Sequence, residues 1–230
     1  MTRQEALDAF YSTLEDLTIR LNGCRYLKDC TGKSGWPQRG IYFFFEDGEF
    51  RADGATPRVV RVGTHAVSLK SKTTLWDRLR THRGHSDGRG NHRGSIFRKR
   101  VGESILRTGS FPQHLNDTWG RGSSALKSVR EAEKVLELEV SRYIGRMPLL
   151  WIDVDDAPSK DSFRAYLERN SIALLSNFRK SVIDPPSRNW LGSKATEETI
   201  RESGLWNTNH VDGVYEPDFL DLLRRYISSA

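Results

Sequence analysis

A chain of 230 residues suits one domain with extensions. A net charge of +6 and a pI of about 9.4 favour a polyanionic partner. A hydrophobic content of 37% and a mean hydropathy of -0.61 describe a globular chain with a polar surface, and no apolar run is long enough to cross a bilayer.

The opening residues, Met1 to Leu7, mix acid and base and do not read as a secretory leader, so a cytoplasmic location is expected. Thr2 to Leu21 reads as a helix, with Ala6, Phe10, Leu14, Leu17 and Leu21 as its apolar stripe and Gly23 as its stop. Cys24 to Arg39 has no periodicity and reads as a loop. Cys24 and Cys30 are expected as free thiols, and no second cysteine pair is present for a zinc site.

Gly40-Ile41-Tyr42-Phe43-Phe44-Phe45 reads as a buried strand bounded by turn formers. Arg58 to Gly63 reads as its hairpin partner, with Gly48, Asp53, Gly54 and Pro57 between them. Leu75 to His82 reads as a helix capped by Thr73 or Thr74, and it carries Arg78 and His82 on one face. Gly84 to Gly94 is a loop rich in Gly, His and Arg.

Ser95 starts a further helix, with Ile96, Phe97, Val101, Ile105 and Leu106 on the buried side and Arg98, Lys99 and Arg100 toward water. Gly109 to Ser123 is loop-like. Ser124 opens a helix to about Arg142 with Leu126, Val129, Val135, Leu136, Leu138 and Val140 as apolar marks. Leu149 to Val154 is the third strand. Ser159 or Asp161 caps a helix from Ser162 to about Leu175, in which Phe163, Tyr166 and Leu167 seek the core. Pro185-Pro186-Ser187 marks a linker, followed by short helices near Thr196 to Ile200 and Pro217 to Ile227. Trp190, Trp206, Asn207, Asn209, His210 and Tyr215 in this tail either pack it onto the main domain or read bases.

The positive charge is concentrated between Lys70 and Arg107, where acids are few. The expected phosphate-tracking residues are Arg80, Arg93, Arg98, Lys99 and Arg100; the alternative is a solvated face on two helices.

A Gly-Ile-Tyr strand, a second strand ending in Val62-Gly63, and a helix carrying Arg78 and His82 resemble the GIY-YIG nuclease family over about Gly40 to Asn177. Tyr42 falls on the tyrosine of the family's first motif, Arg78 on its helix arginine and His82 on the histidine one turn later. His92 and Ser95-Ile96 fall where many members have His and Ser before the second helix. Glu168 falls on the metal-binding glutamate and Asn177 on the asparagine beyond it.

The resemblance implies an α+β fold: a small three-stranded, mainly antiparallel sheet flanked by helices, with an N-terminal helix and a helical C-terminal extension. The expected division is 1–35, 36–180 and 181–230. It also implies phosphodiester hydrolysis, which needs a group at the attacking water, a cation on the phosphate and a metal at the leaving oxygen. Tyr42, Arg78 and Glu168 would fill those roles, with His82 assisting proton transfer and Mg²⁺ or Mn²⁺ on Glu168. Each residue also has an ordinary reading, as a packed strand aromatic, a solvated helix face or an exposed pair with Arg169.

The second motif departs from the family, reading Arg61-Val62-Gly63 without its tyrosine. Arg61 fills the slot as a phosphate ligand, His65 takes over the proton chemistry, or the site is inactive; that is the order of preference. Tyr143-Ile144-Gly145 lies too far down the chain, at a helix end, to be that motif. The expected function is an endonuclease of restriction or defence type, a monomer or homodimer acting on DNA with RNA left open. The alternative is an inactive nucleic-acid-binding protein with the same fold.

Overall fold

The computed structural model describes residues 1–228, so the last two positions of the expected 181–230 extension lie outside the described residues. Helix α1 (Arg3–Arg20) opens on Thr2, whose hydroxyl accepts from the Glu5 N–H while Glu5 returns the bond to the Thr2 N–H. Its stripe of Ala6, Phe10, Leu14 and Leu17 is buried as the periodicity predicts.

Strand β1 (Arg25–Tyr26) lies within the stretch read as a loop; two residues carry no alternation to recognise. The hairpin is β2 (Gly40–Phe50) and β3 (Pro57–Gly63), and β4 (Pro148–Asp153) follows far down the chain. The order is β1-β4-β2-β3 and every pairing is antiparallel. The fold is therefore α+β as expected, with a fourth strand.

The central strand is buried on both faces. Ile41, Phe43 and Phe45 face α1, α6 (Phe163–Leu175) and α8 (Phe219–Ser228). Tyr42 and Phe44 face α2 (Leu75–Arg83), α3 (Ile96–Leu106) and α5 (Lys127–Gly145), with the small α4 (Leu115–Thr118) beside them. Layers on both faces explain why β2 reads as a continuous apolar run.

The tail is built into both layers. Trp190, Ile200 and Trp206 join the Tyr42 face, the Ile200 position being carried by α7 (Glu198–Ser203). Phe219, Leu220, Leu223 and Ile227 join the other. At the Pro185–Ser187 stretch, the Ser187 N–H donates to Glu49, and Asp184 pairs with Arg51 at 2.6 Å.

Several local expectations need correction. Thr74, not Thr73, caps α2, and Ser162 itself caps α6 rather than Ser159 or Asp161. The helix expected from Ser124 starts at Lys127, leaving Leu126 exposed, and Val135 is exposed because Leu136, Val140 and Ile144 form the buried face. Ile96 is exposed beside the cap, so Phe97 takes the core position. Phe163 is 53% exposed, its ring near that of Tyr226. Arg98, assigned to the wet side, is fully buried. Both cysteines are free thiols.

Candidate active site

Tyr42 sits at mid-sheet, opposite Gly63 on β3 and Trp151 on β4. A Cβ placed on Gly63 would lie 2.2 Å from the Tyr42 hydroxyl oxygen. The glycine of the second motif thus leaves the space in which the first motif's phenol lies. Gly63→Ala is expected to push the ring off its seat at a cost of about 1–3 kcal/mol. Denaturant unfolding, with the Tyr42–His82 bond followed by NMR, checks it; an unshifted midpoint would contradict the packing.

The Tyr42 hydroxyl lies 2.8 Å from His82 Nε2, and His82 Nδ1 lies 2.8 Å from Ser95 Oγ. Helix α2 positions His82 because Thr74 and Asp77 form a reciprocal cap at its start. His82 is fully buried among Tyr42, Phe44 and Phe97. Burial, reinforced by Arg78, Arg61 and Arg98, holds it well below the ordinary histidine range. The ring is therefore neutral at pH 7.

Arg61 occupies the slot of the missing tyrosine. A register shift between Phe44 and Phe45 leaves Val60 as an extra residue, and Arg61 pairs with Phe44 on the Tyr42 side of the sheet. Its guanidinium lies 4.6 Å over the Phe97 ring, and Nη1 donates to the Trp206 carbonyl at 2.8 Å. Burial lowers its proton affinity, while Tyr42 and Glu168 oppose that. Asn207 brackets the middle of the motif: its Oδ1 accepts from the Val62 N–H at 3.1 Å and its Nδ2 donates to the Val62 carbonyl at 2.8 Å. The amide of Asn207 is thus spent on main chain, as is the Trp206 N–H, which donates to the Val60 carbonyl at 2.7 Å.

Glu168 reaches the site around the end of β3. Its Oε1 accepts from the Thr64 N–H at 3.0 Å, and the Thr64 hydroxyl donates to the Gly40 carbonyl at 2.8 Å. Burial raises the carboxyl above the usual range, opposed by Arg61, that bond, Arg78 and Arg164. Arg61 and Arg78 therefore act on Glu168, and both also act on His82, which holds Tyr42. The buried Nε atoms of Arg61 and Arg78 have no hydrogen-bond partner.

No group of three or more His, Cys, Asp or Glu poised to hold a metal occurs among the described residues. A single carboxylate with one oxygen committed to a backbone N–H fits a hard cation that keeps most of its waters, as Mg²⁺ does. It does not fit zinc.

His65 is buried beside this cluster, and neither ring nitrogen has a hydrogen-bond partner. Burial, then Arg164, lowers it to about 4, with Arg78 and Arg39 adding to the effect and the nearby Gln38 backbone opposing it. Both His65 and His82 thus titrate below the unfolded value of 6.5. At intermediate pH the unfolded chain binds the extra protons, so stability is fully present above 6.5 and falls as pH drops toward the folded values. Each histidine contributes a slope of up to about 1.4 kcal/mol per pH unit in that window. Unfolding free energies measured between pH 7 and 4.5 should show this slope, and His65→Gln should remove part of it.

The remaining expected residues lie elsewhere. Asn177 Oδ1 accepts from Arg3 at 3.1 Å and from the Ile183 N–H at 3.0 Å, tying the chain after α6 to α1. The proposed basic face also needs correction. Arg98 is enclosed by Glu137, Ser141 and the His82 carbonyl. Arg93 forms a two-pronged pair with Glu133, and Arg100 pairs with Glu103 and Glu197. Carboxylates of α5 and the tail, distant in sequence, neutralise them. Lys99 stays near Glu103 at 3.9 Å, and Arg80 pairs with Asp77 at 3.6 Å yet keeps 63% of its side chain exposed. Lys70, Lys72, Arg89 and Arg107 are exposed as well. His92 is buried against Glu137 and stacked on Trp119. Tyr143 donates to Glu46 within a helix, away from any second-motif role.

Sequence reasoning missed the parts played by Ser95 and by Trp206-Asn207. Ser95 was legible as a helix start; its bond to His82 was not. The tail clamp leaves no periodic trace.

An antiparallel four-stranded sheet with helices packed on both faces defines an α+β domain. A family model described as the GIY-YIG domain matches residues 1–230, and the chain belongs to that family, a nuclease family acting on nucleic acid. No curated protein and no solved structure gives a match. Among the described residues, no helix is long and apolar enough to cross a membrane.

Proposed function

We propose that the protein is a metal-dependent endonuclease that hydrolyses phosphodiester bonds in DNA, of restriction or defence type. What supports this reading is that Tyr42 lies 2.8 Å from His82 Nε2, while Arg78 is near enough to act on both His82 and Glu168. Arg78 binds the phosphate and stabilises the charge that develops on it. Tyr42 orients the attacking water and, as the phenolate left once its own proton has passed to bulk water, receives the proton of that water. His82, neutral and buried, holds the phenolic oxygen in place. Glu168 would hold Mg²⁺ or Mn²⁺, which supplies charge stabilisation at the leaving oxygen.

Arg61 takes the second tyrosine's position but is turned to Trp206 and Phe97. His65 is the group beside the cluster with unused nitrogens. Solvent-facing Arg80, with Lys70, Lys72 and Arg107, supplies the backbone contacts.

The second reading is a nucleic-acid-binding protein that does not cut. It is favoured by one observation: Tyr42 and His82 are both fully buried. Plasmid and single-stranded DNA incubated with Mg²⁺ or Mn²⁺ separate the two. The wild type should cut, and Arg78→Ala and Glu168→Ala should not. Binding without cutting by the wild type, weakened only in the arginine variant, would establish the second reading.

A further inference from the structure

The far end of the sheet carries a groove of about 920 Å³ between α1 and the outer half of β2. Its floor is apolar: Tyr11, Leu14 and Phe45 are buried beneath it. Tyr26 and Phe50 line its sides, with 41% and 43% of their surface exposed. Strand β2 advances six residues from Tyr42 to Gly48, which sets the groove roughly 20 Å from the phenol. Along α1 the groove runs from Asp8 to Thr18, about 15 Å, the length of about five extended residues.

The sheet is unfinished here. Strand β4 pairs with β2 only as far as Leu149 opposite Phe44, and it begins at Pro148, which has no N–H to extend the ladder. Among the described residues, β2 runs on to Phe50 with no strand beside it on that side. An extended segment of another molecule can take that place through main-chain hydrogen bonds.

The charge of the groove runs against that of the molecule. The chain carries +6, yet five carboxylates line the groove against one guanidinium, that of Arg51. Arg51 is itself shared between Asp8 and Asp184. Glu15 on α1 and Asp47 on β2 are exposed, and neither has an ion-pair or hydrogen-bond partner among the described residues. An apolar floor between two uncompensated carboxylates attracts a cationic peptide and repels a nucleic-acid backbone.

We propose that this groove docks an extended, cationic peptide segment of a partner protein, with apolar side chains on Tyr11 and Phe45 and lysines or arginines facing Glu15 and Asp47. The groove shares no residue with the Tyr42, Arg78 and Glu168 group, so the inference stands apart from the nuclease reading.

Cys24 provides the readout. It lines the groove and is exposed, whereas Cys30 is buried. The rate at which the full chain's exposed thiol is modified therefore reports occupancy. The probe is an end-blocked peptide of alternating lysine and valine, long enough to fill the groove. At saturation it should slow modification of Cys24 at least about tenfold, and its binding should weaken as salt is raised from about 50 to 500 mM. Glu15→Lys combined with Asp47→Lys should weaken binding at least about tenfold without shifting thermal unfolding. Glu15→Gln with Asp47→Asn serves if the charge-reversed chain does not fold.

Absence of protection by the lysine–valine peptide, or equal binding to the folded variants, would overturn the inference. So would protection by a glutamate–valine peptide or by a single-stranded DNA oligonucleotide. Charge-dependent protection in a protein that cuts nothing would leave the docking groove standing and remove only the nuclease reading.

Discussion

Tyr42→Phe should leave the fold in place and lower kcat by about two to four orders of magnitude, the usual yield of a positioned proton-transfer group. The ring keeps its seat over Gly63, because packing there involves carbon atoms as well as the hydroxyl. What is lost is the oxygen at 2.8 Å from His82 Nε2. That leaves one buried nitrogen unpaired, at about 1–3 kcal/mol. Cleavage rate against pH and the denaturation midpoint are the two measurements. Unchanged cleavage in the Phe variant would remove Tyr42 from the chemistry, and a collapse of stability beyond that range would make the phenol chiefly structural.

Arg98→Met should cost about 3–5 kcal/mol, the largest single loss of stability expected anywhere in the chain. Glu137 is buried between Arg98 and His92. Burial alone would raise its carboxyl; His92 and Arg98 outweigh that and hold it below the usual range. Removing the guanidinium strands that charge. Because Arg98 also bonds the His82 carbonyl and follows the Ser95 cap, the damage should reach Tyr42 as lost activity in whatever protein still folds. Thermal unfolding of Arg98→Met beside Arg98→Met with Glu137→Gln separates the causes. The second change makes residue 137 neutral and should restore part of the loss.

How far the sequence could be read follows from where each signal is stored. The hairpin, α1 and α6 announced themselves through local patterns: continuous apolar runs, a stripe at helical spacing, serine and threonine at starts. The ordered set of Tyr42, Arg78, His82 and Glu168 carried the family. The basic surface misled, because charge was counted along the chain while its neutralisation comes from elsewhere. Glu133 and Glu137 sit on α5, and Glu197 lies in the tail. Four of the five arginines and lysines assigned to nucleic acid are paired with those acids or with Glu103. Asn207 had the opposite fate: a polar residue in the tail, open to a base-reading role, turned out to be bonded to Val62.

That bond bears on the order in which the domain is completed. Strand β3 is the outermost strand, and Trp206 and Asn207 supply the main-chain partners that a fifth strand would otherwise provide. During synthesis the first tyrosine, the arginine helix and the glutamate all leave the ribosome well before residues 206 and 207. A nascent chain therefore holds Tyr42, Arg78 and Glu168 before the piece that bonds Arg61 is made. The outer edge of the sheet is completed only once residues 206 and 207 have been made.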